Sequence, residues 1–247
     1  MTPDSGRPHL ITHVVTTDAT AGDSAVVDEI HDRLDGKGLL PSEHLMDAGY
    51  ISAKLLLTAP VDHRVRVIGP VRPNTTRQTI QTTGFGKASF DIDWPARRAT
   101  CPNGATSRYL TEGHDHNQRP AIRIRFATKT CAPCPVRDKC TSSTRYGRQR
   151  TVRPQEQDAI LESVRTEQAT DEWKARYAAR AGVEGAIRQA VAVTGARRTR
   201  YIELPKTRLA HVFTATAINL IRLDAWWNEK PLARTRTSHL GALDLAA

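Results

Sequence analysis

Aromatic residues are scarce in this sequence: Phe, Trp and Tyr together make up only 5% of its 247 residues. A buried core must therefore be built mainly from Leu, Ile, Val and Ala. No apolar run approaches the length of a membrane-spanning helix, and the polar residues 1–6 do not form a secretory signal. These absences argue against a membrane or secreted protein, so we expect a cytoplasmic protein with no membrane partner.

Acidic residues are outnumbered by basic ones. The 36 Lys and Arg residues exceed the 26 Asp and Glu residues, which gives a net charge of +10. Most of the basic residues are arginines, whose planar guanidinium groups can donate two hydrogen bonds to one phosphate. The charge therefore favours nucleic acid as a partner. The alternative is a genome of high GC content, whose codons raise the Arg and Ala content without any contact to DNA.

Strand and helix signals alternate in residues 1–72. Runs of β-branched and apolar residues predict strands, and the amphipathic or capped segments between them predict helices. The predicted strands are residues 9–17, 43–46 and 64–68; one predicted helix covers residues 25–34, and a second begins at Ser52 and ends before Pro60. This order predicts an α/β fold with right-handed crossovers.

The sequence changes character after residue 72. Residues 73–150 contain several Gly and Pro residues, all four cysteines and little helical periodicity, so we interpret them as an insertion of loops and strands, the strands at 90–94 and 122–126. Helical periodicity then returns and ends in a helix over residues 205–227, whose apolar stripe is predicted to be buried. The predicted segments are therefore residues 1–72, the insertion at 73–150, the helical segment 151–228 and a loosely held tail at 229–247.

Asp47 directly follows the predicted strand at residues 43–46. Open α/β sheets bind their ligands beyond the carboxyl ends of their strands, so this position suits a ligand-binding carboxylate. The alternative is that Asp47 and Gly49 only form a turn. The local sequence does not decide between the two.

Glu184 lies in a helix that is predicted to extend from Asp171 to Val191. Its position falls within the stripe that should face the protein interior. A buried carboxylate is costly unless it is paired or holds a metal ion. The alternative is an exposed i,i+4 ion pair with Arg180, which stabilises a helix by only a few tenths of a kcal/mol.

The four cysteines, Cys101, Cys131, Cys134 and Cys140, all lie in the insertion. A C-x-x-C pair with a further cysteine nearby in a cytosolic chain favours zinc over disulfides, and four thiolates can form a tetrahedral structural site. Because Cys101 has no close second cysteine, His114 and His116 are alternative ligands. The competing interpretation is a set of reduced, buried cysteines without metal.

Several segments, taken in chain order, resemble bacterial insertion-sequence transposases of the DDE type. They are residues 8–12, 16–19, 43–50 (EHLMDAGY), 131–141 (CAPCPVRDKCT), 177–185 (YAARAGVEG), 198–201 (RTRY), 206–211 (KTRLAH) and 217–220 (AINL). The resemblance implies a ribonuclease H-like fold with an insertion between the second and third catalytic acidic residues. Asp47 matches the second of these residues and Glu184 the third.

The resemblance also implies double-stranded DNA from the ends of the element as the substrate. In this chemistry two Mg²⁺ ions, about 3.5–4 Å apart, activate the attacking water or 3′-hydroxyl and stabilise the leaving oxygen. Such ions require hard oxygen ligands, so Asp47 and Glu184 are expected to bind Mg²⁺ or Mn²⁺. Basic residues near and beyond Glu184 are expected to contact DNA phosphates or, for Arg180, to steady Glu184. These residues are Arg180, Arg188, Arg197, Arg198, Arg200 and Lys206.

The sequence departs from the family in several places. The first catalytic Asp belongs to a strand that should precede His9, and the chain begins too late to contain it. The nearby aspartates are poor substitutes: Asp4, Asp18 and Asp23. Glu203 stands where the family tends to have Gly, and Ala186 where it often has Thr. We therefore expect an incomplete ribonuclease H-like fold, truncated to the carboxy-terminal part of a transposase that does not transpose on its own.

The expected partners are DNA and a second copy of the chain or a full-length transposase. The main alternative is a non-catalytic basic module that binds DNA and regulates or inhibits an intact transposase. A further alternative is a decayed remnant with no role.

Overall fold

The structure, a computed structural model, describes residues 8–74, 77–80 and 84–230. The chain divides into two compact units, one formed by Met1–Leu39 and Ala178–Ala247 and the other by Leu40–Tyr177. Helices and strands are mixed along the chain, which confirms the predicted α/β composition. Asp4 and the predicted tail from residue 231 onward lie outside the described residues.

The regular elements within the described residues are mostly short. The helices are α1 (Val27–Asp35), α2 (Ala53–Asp62), α3 (Arg77–Ile80), α4 (Thr128–Cys131), α5 (Arg137–Cys140), α6 (Gln155–Gln168), α7 (Asp171–Ala178), α8 (Ala181–Thr194) and α9 (Leu204–Trp227). The strands are β1 (Glu43–Leu45), β2 (Arg66–Ile68), β3 (Asp91–Asp93), β4 (Arg98–Thr100), β5 (Tyr109–His114), β6 (Pro120–Arg125) and β7 (Gln149–Val152). Two 3₁₀ turns lie at Asp23–Val26 and Lys87–Ser89.

In the unit Leu40–Tyr177, β1 and β2 form a parallel pair that is connected by α2. The register places Glu43 opposite Arg66. Ser52 caps α2, because its hydroxyl accepts a hydrogen bond of 3.1 Å from the Leu55 backbone N–H and so satisfies a donor that the helix leaves unpaired. This is the strand–helix–strand order that the sequence predicts for this segment.

The prediction that α2 ends before Pro60 is wrong, since the helix continues through Pro60 to Asp62. Leu55, Leu56 and Ala59 on this helix are buried, and α2 packs against α6. The burial of this apolar face offsets the backbone hydrogen bond that proline cannot donate.

The second half of the same unit contains two antiparallel sheets, a β3–β4 pair and a three-stranded β5–β6–β7 sheet. Strands β3 and β6 occupy the positions predicted for strands at 90–94 and 122–126. One face of the three-stranded sheet is covered by a small apolar core. Its buried residues are Phe90, Ala99, Leu110, Ile124, Phe126 and Val152.

The predicted strand at residues 9–17 is not a paired strand in the structure. Its backbone contacts a side chain of α9: the Ile11 N–H donates to Asn219 Oδ1 at 2.8 Å, and Asn219 Nδ2 donates to the Ile11 carbonyl at 2.9 Å. β-branched residues favour an extended backbone, but a strand also requires a neighbouring strand to pair with. Here a side-chain amide takes the place of that neighbour.

The long helix predicted from Asp171 is interrupted, so that α7 ends at Ala178 and α8 begins at Ala181. At the break the Val183 N–H donates to the Arg180 carbonyl at 2.8 Å, a three-residue spacing that interrupts the α-helical ladder. Gly182 and Gly185 further weaken the helical preference of this segment.

The apolar stripe predicted to be buried on α9 is largely exposed. Leu209, Phe213 and Leu220 have exposed fractions of 56%, 65% and 62%, whereas the buried residues of this helix are Ala215 and Ile218. Periodicity identifies which side chains share a helix face, but it does not reveal whether anything covers that face. Within the described residues, no helix has the length and apolar character that crossing a membrane requires.

Candidate functional site

Asp47 lies two residues beyond the end of β1 and is exposed. The preceding residue continues the ladder, since the Met46 N–H donates to the Ile68 carbonyl at 2.8 Å. A turn follows: the Ala48 N–H donates to Asp47 Oδ1 at 2.7 Å, and the Tyr50 N–H donates to the Asp47 carbonyl at 3.0 Å. Both features expected from the sequence are therefore present together, a carboxylate beyond the end of a parallel strand and a turn that fixes its backbone.

Side chains from α7 hold the strand that carries Asp47. Arg176 forms an ion pair with Glu43 at the start of β1, with Nε 3.1 Å from Oε2, and Tyr177 Oη donates to the Met46 carbonyl at 3.3 Å. The hydrogen bond to Glu43 raises the pKa of the Arg176 guanidinium above its usual value. These contacts hold β1 at both of its ends. Local sequence patterns do not reveal them, because the partners lie more than 130 residues apart.

Glu184 lies in the first turn of α8, and its side chain is 72% exposed. The expectation that it faces the interior is therefore wrong. Arg180 Nη1 lies 3.3 Å from Glu184 Oε1, and the Arg180 side chain is only 18% exposed. This is the i,i+4 ion pair that the sequence offered as the alternative. The start of a helix also favours a negative charge, so the carboxylate is oriented yet accessible to solvent.

The two predicted catalytic carboxylates belong to different units, Asp47 to Leu40–Tyr177 and Glu184 to the unit that includes Ala178–Ala247. Each is accessible in its own unit. Their joint binding of a metal ion stays a prediction.

The four cysteines line one cavity of about 380 Å³. Cys131 ends α4, Cys140 ends α5, and Cys134 lies in the turn between these helices, where its N–H donates to the Cys131 carbonyl at 3.3 Å. Cys101 follows β4 and is held by a turn in which the Gly104 N–H donates to its carbonyl at 2.8 Å. Cys101 therefore lines the same cavity as the other three cysteines, whereas His114 and His116 are exposed on the β5–β6 hairpin.

The environment of the thiols contains hydrogen-bond donors. The Arg148 N–H donates to Cys131 Sγ at 3.5 Å, and Asn103 Nδ2 donates to Cys134 Sγ at 3.6 Å. Burial raises the pKa of the Cys140 thiol; nearby Arg148 opposes this, and the other three cysteines reinforce it. The donor set has the chemistry of a zinc site. In the part of the chain that the structure describes, however, no three His, Cys, Asp or Glu side chains are close enough together to hold a metal ion.

Two arginines lie close to this cavity and the apolar core, Arg148 just before β7 and Arg150 on it. Arg150 is buried, donates from Nη1 to the Phe85 carbonyl at 3.2 Å and lies 4.8 Å from the centre of the Phe90 ring. Burial lowers the pKa of Arg150 to about 10 and also lowers the pKa of Arg148. Among the described residues, neither guanidinium has a carboxylate within ion-pair distance. Cations that are buried, as Arg150 is, or partly buried, as Arg148 is, call for a compensating negative charge.

The other predicted DNA-contacting residues are exposed. Residues 195–203 between α8 and α9, here termed the basic connector, begin at Gly195 in a left-handed conformation (φ 66°) and continue with three exposed arginines. These are Arg197, Arg198 and Arg200. Arg188 on α8 is also exposed, and Lys206 on α9 forms an exposed ion pair with Glu203 at 3.2 Å.

Comparison with known families identifies the chain. A family model of the transposase DDE domain matches residues 100–224, just over half of the chain. The chain therefore belongs to the transposase DDE domain family, which confirms the resemblance found in the sequence. The matched residues include the four cysteines, Glu184 and the basic connector, but not Asp47. No match was found among curated proteins or among solved structures.

Proposed function

We propose that this chain acts in the metal-dependent cleavage and transfer of DNA strands as one part of a DDE transposase rather than as an autonomous one. The observation that carries the proposal is the family match over residues 100–224, which contains an accessible carboxylate, Glu184, at the start of a helix. DNA is the substrate that membership of this family implies.

In this proposal Asp47 and Glu184 supply carboxylate oxygens to Mg²⁺ or Mn²⁺. The ions, when bound, would activate the attacking hydroxyl and stabilise the leaving oxygen. Arg180 orients Glu184 through the 3.3 Å contact. Arg176 and Tyr177 fix the strand before Asp47, and the basic connector binds phosphates.

The direct test is a nicking assay with duplex DNA that carries the ends of the element. Nicking that requires Mg²⁺ or Mn²⁺ and stops when the ions are chelated supports the proposal. Binding of the same DNA without nicking supports the alternative, a basic module that regulates an intact transposase. That alternative is favoured by one observation, the row of exposed arginines in the basic connector.

The basic connector yields a prediction for DNA binding. Replacing Arg197 and Arg198 with Gln is expected to lower the steepness of the plot of log affinity against log salt by about 2, because each lost phosphate contact removes about one released counterion. Fluorescence anisotropy with labelled duplex at several salt concentrations measures this slope. The double variant K54Q/R98Q, which removes two other exposed charges, serves as the control. Equal slopes in the two variants would contradict the role of the connector.

We also propose that the cysteine cavity holds a structural zinc ion, with Cys101, Cys131, Cys134 and Cys140 as its ligands. All four thiols line the same cavity, and a zinc ion with four thiolates carries two net negative charges. Those charges would balance the buried guanidinium group of Arg150 and the half-buried one of Arg148, which otherwise lack a carboxylate within ion-pair distance in the described structure. Binding would draw the thiols closer together.

The exposed apolar face of α9 supports a proposal about partners. Phe213 and Leu220 are among several large apolar side chains that this helix leaves exposed, and contiguous exposed apolar surface often marks a protein contact. We propose that this face contacts another transposase chain, either a second copy or a full-length protein.

A further inference from the structure

The three-stranded β5–β6–β7 sheet has one face in the apolar core and one face in solvent. On the solvent side, Tyr109, Arg125 and Gln149 lie opposite one another across the three strands, and Thr111, Arg123 and Thr151 form the adjacent row. All six side chains are exposed. We call this surface, formed by these six residues, the sheet face.

The composition of the sheet face is uniform in one respect: every side chain on it can donate a hydrogen bond and none is acidic. Tyr, Thr, Gln and Arg are all residue types that contact DNA phosphates. Among the described residues, neither Arg123 nor Arg125 is in an ion pair; Arg123 Nη2 donates to the His114 carbonyl at 2.9 Å, and Arg125 makes no side-chain hydrogen bond. A sheet that only needed a soluble surface would normally mix charges of both signs.

The two acidic residues of the β5–β6 hairpin, Glu112 and Asp115, are both in ion pairs with arginines outside the sheet face. Glu112 lies on the other face of β5 and contacts Arg97 at 2.8 Å. Asp115, in the hairpin turn, contacts Arg153 at 3.3 Å and accepts hydrogen bonds from the Asn117 and Arg119 N–H groups. No carboxylate in the described structure therefore neutralises Arg123 or Arg125.

The spacing of the two arginines also suits a nucleic-acid backbone. Alternate residues on a strand are about 7 Å apart at about 3.4 Å per residue, which is close to the distance between neighbouring phosphates along one DNA strand. Each guanidinium can donate two hydrogen bonds to one phosphate, and the flanking Thr111 and Thr151 hydroxyls can donate to the same backbone.

We propose that the sheet face is a second DNA-contact surface, which binds the sugar–phosphate backbone of duplex DNA independently of base sequence. The proposal rests on the proposed function, in that DNA is taken as the substrate. It goes beyond that function because it assigns DNA contact to the cysteine-containing segment, outside the residues around Glu184 and the basic connector. Tyr109, whose ring lies 5.8 Å from the Arg108 guanidinium, contributes its hydroxyl rather than a stacking surface.

The test is the binding of a labelled duplex of arbitrary sequence to the full chain, measured by fluorescence anisotropy between 0.05 and about 0.3 M salt. The variant R123Q/R125Q is expected to raise Kd about 10- to 100-fold at 0.1 M salt and to lower the salt slope by about 2. The control K54Q/R98Q removes two exposed charges from elsewhere in the same unit and is expected to change Kd less than about threefold. The single variant R125Q removes a side chain with no hydrogen bond of its own, so it keeps the test valid if the double variant unfolds.

The outcomes separate this inference from the proposed function. If R197Q/R198Q weakens duplex binding while R123Q/R125Q and R125Q bind as the control does, the sheet face is not a contact surface, although the chain still binds DNA. If the wild-type chain binds no duplex at all, both proposals are wrong. A preference for single-stranded DNA that is lost in Y109A but kept in Y109F would also overturn the inference, because it would indicate stacking of bases on the ring.

Discussion

Replacing Cys131 with Ser is expected to abolish zinc binding and to lower the Tm of the purified chain by about 10 °C or more. The binding free energy of a structural zinc ion contributes to folding, because the unfolded chain has no preformed site. Loss of even about 4 kcal/mol corresponds to roughly 8–16 °C in a chain of this size. The effect should be large because three of the cysteines pack directly against the apolar core of the three-stranded sheet, namely Cys101, Cys131 and Cys140.

Metal analysis and thermal unfolding together provide the measurement. Thr130 lines the same cavity but is not a predicted ligand, so Thr130→Ala is the matched control and should retain one equivalent of zinc. Treatment of the wild-type chain with a strong chelator should reproduce the Tm of the serine variant. Wild-type protein that contains less than about a tenth of an equivalent of zinc would show instead that the cysteines are simply reduced thiols.

Replacing Asp47 with Asn or Glu184 with Gln is expected to reduce metal-dependent nicking of element-end DNA by at least about 100-fold. Each change preserves the size of the side chain but removes the negative charge that binds the ion. A ligand whose loss costs about 3 kcal/mol of transition-state stabilisation lowers the rate by roughly two powers of ten. The same variants should remain folded, because Glu184 is exposed and its ion pair with Arg180 stabilises α8 by only a few tenths of a kcal/mol.

A matched control for the nicking assay is Glu156→Gln. Glu156 lies in the first turn of α6, as Glu184 does in α8, and is also exposed. It shares the helix-dipole environment but has no predicted catalytic role. If the Glu184→Gln variant nicks DNA as well as the Glu156→Gln variant does, Glu184 is not a metal ligand and only forms a surface ion pair.

The sequence was sufficient to recognise the family, because short motifs such as the segment around Cys131 and that around Glu184 are local in the chain. It also predicted the cap at Ser52, since capping depends on a hydroxyl and a backbone N–H three residues apart. The chemistry of the cysteines favoured a common site but left open whether Cys101 or one of the histidines, His114 or His116, completes it. The structure places all four thiols on one cavity.

The errors concern features that depend on distant partners. Residues 9–17 have strand propensity, yet the extended backbone is bonded to Asn219 rather than to another strand. Glu184 shares a face with apolar residues, yet that face is exposed. In both cases the local pattern describes the segment correctly, but only the rest of the fold determines what covers it.

The burial of Arg150 is a further feature that sequence alone misses. Three of the four residues of β7 are polar, Arg150 among them, and a charged side chain on such a strand normally lies in solvent. The register instead sets it opposite Ile124 on the core side, where the Phe90 ring and the Phe85 carbonyl receive its guanidinium. A signal for this position would have been Val152, a core residue two positions later and therefore on the same face of the strand.

The binding of Mn²⁺ to the wild-type chain, D47N, E184Q and the double variant, measured by calorimetry, tests the central claim most directly. If residues 47 and 184 hold the same ion, each single change weakens binding by about tenfold or more, and the double change costs less than the sum of the two by about 1 kcal/mol or more. Strictly additive losses, or unchanged Mn²⁺ affinity in either single variant, would contradict a shared ion.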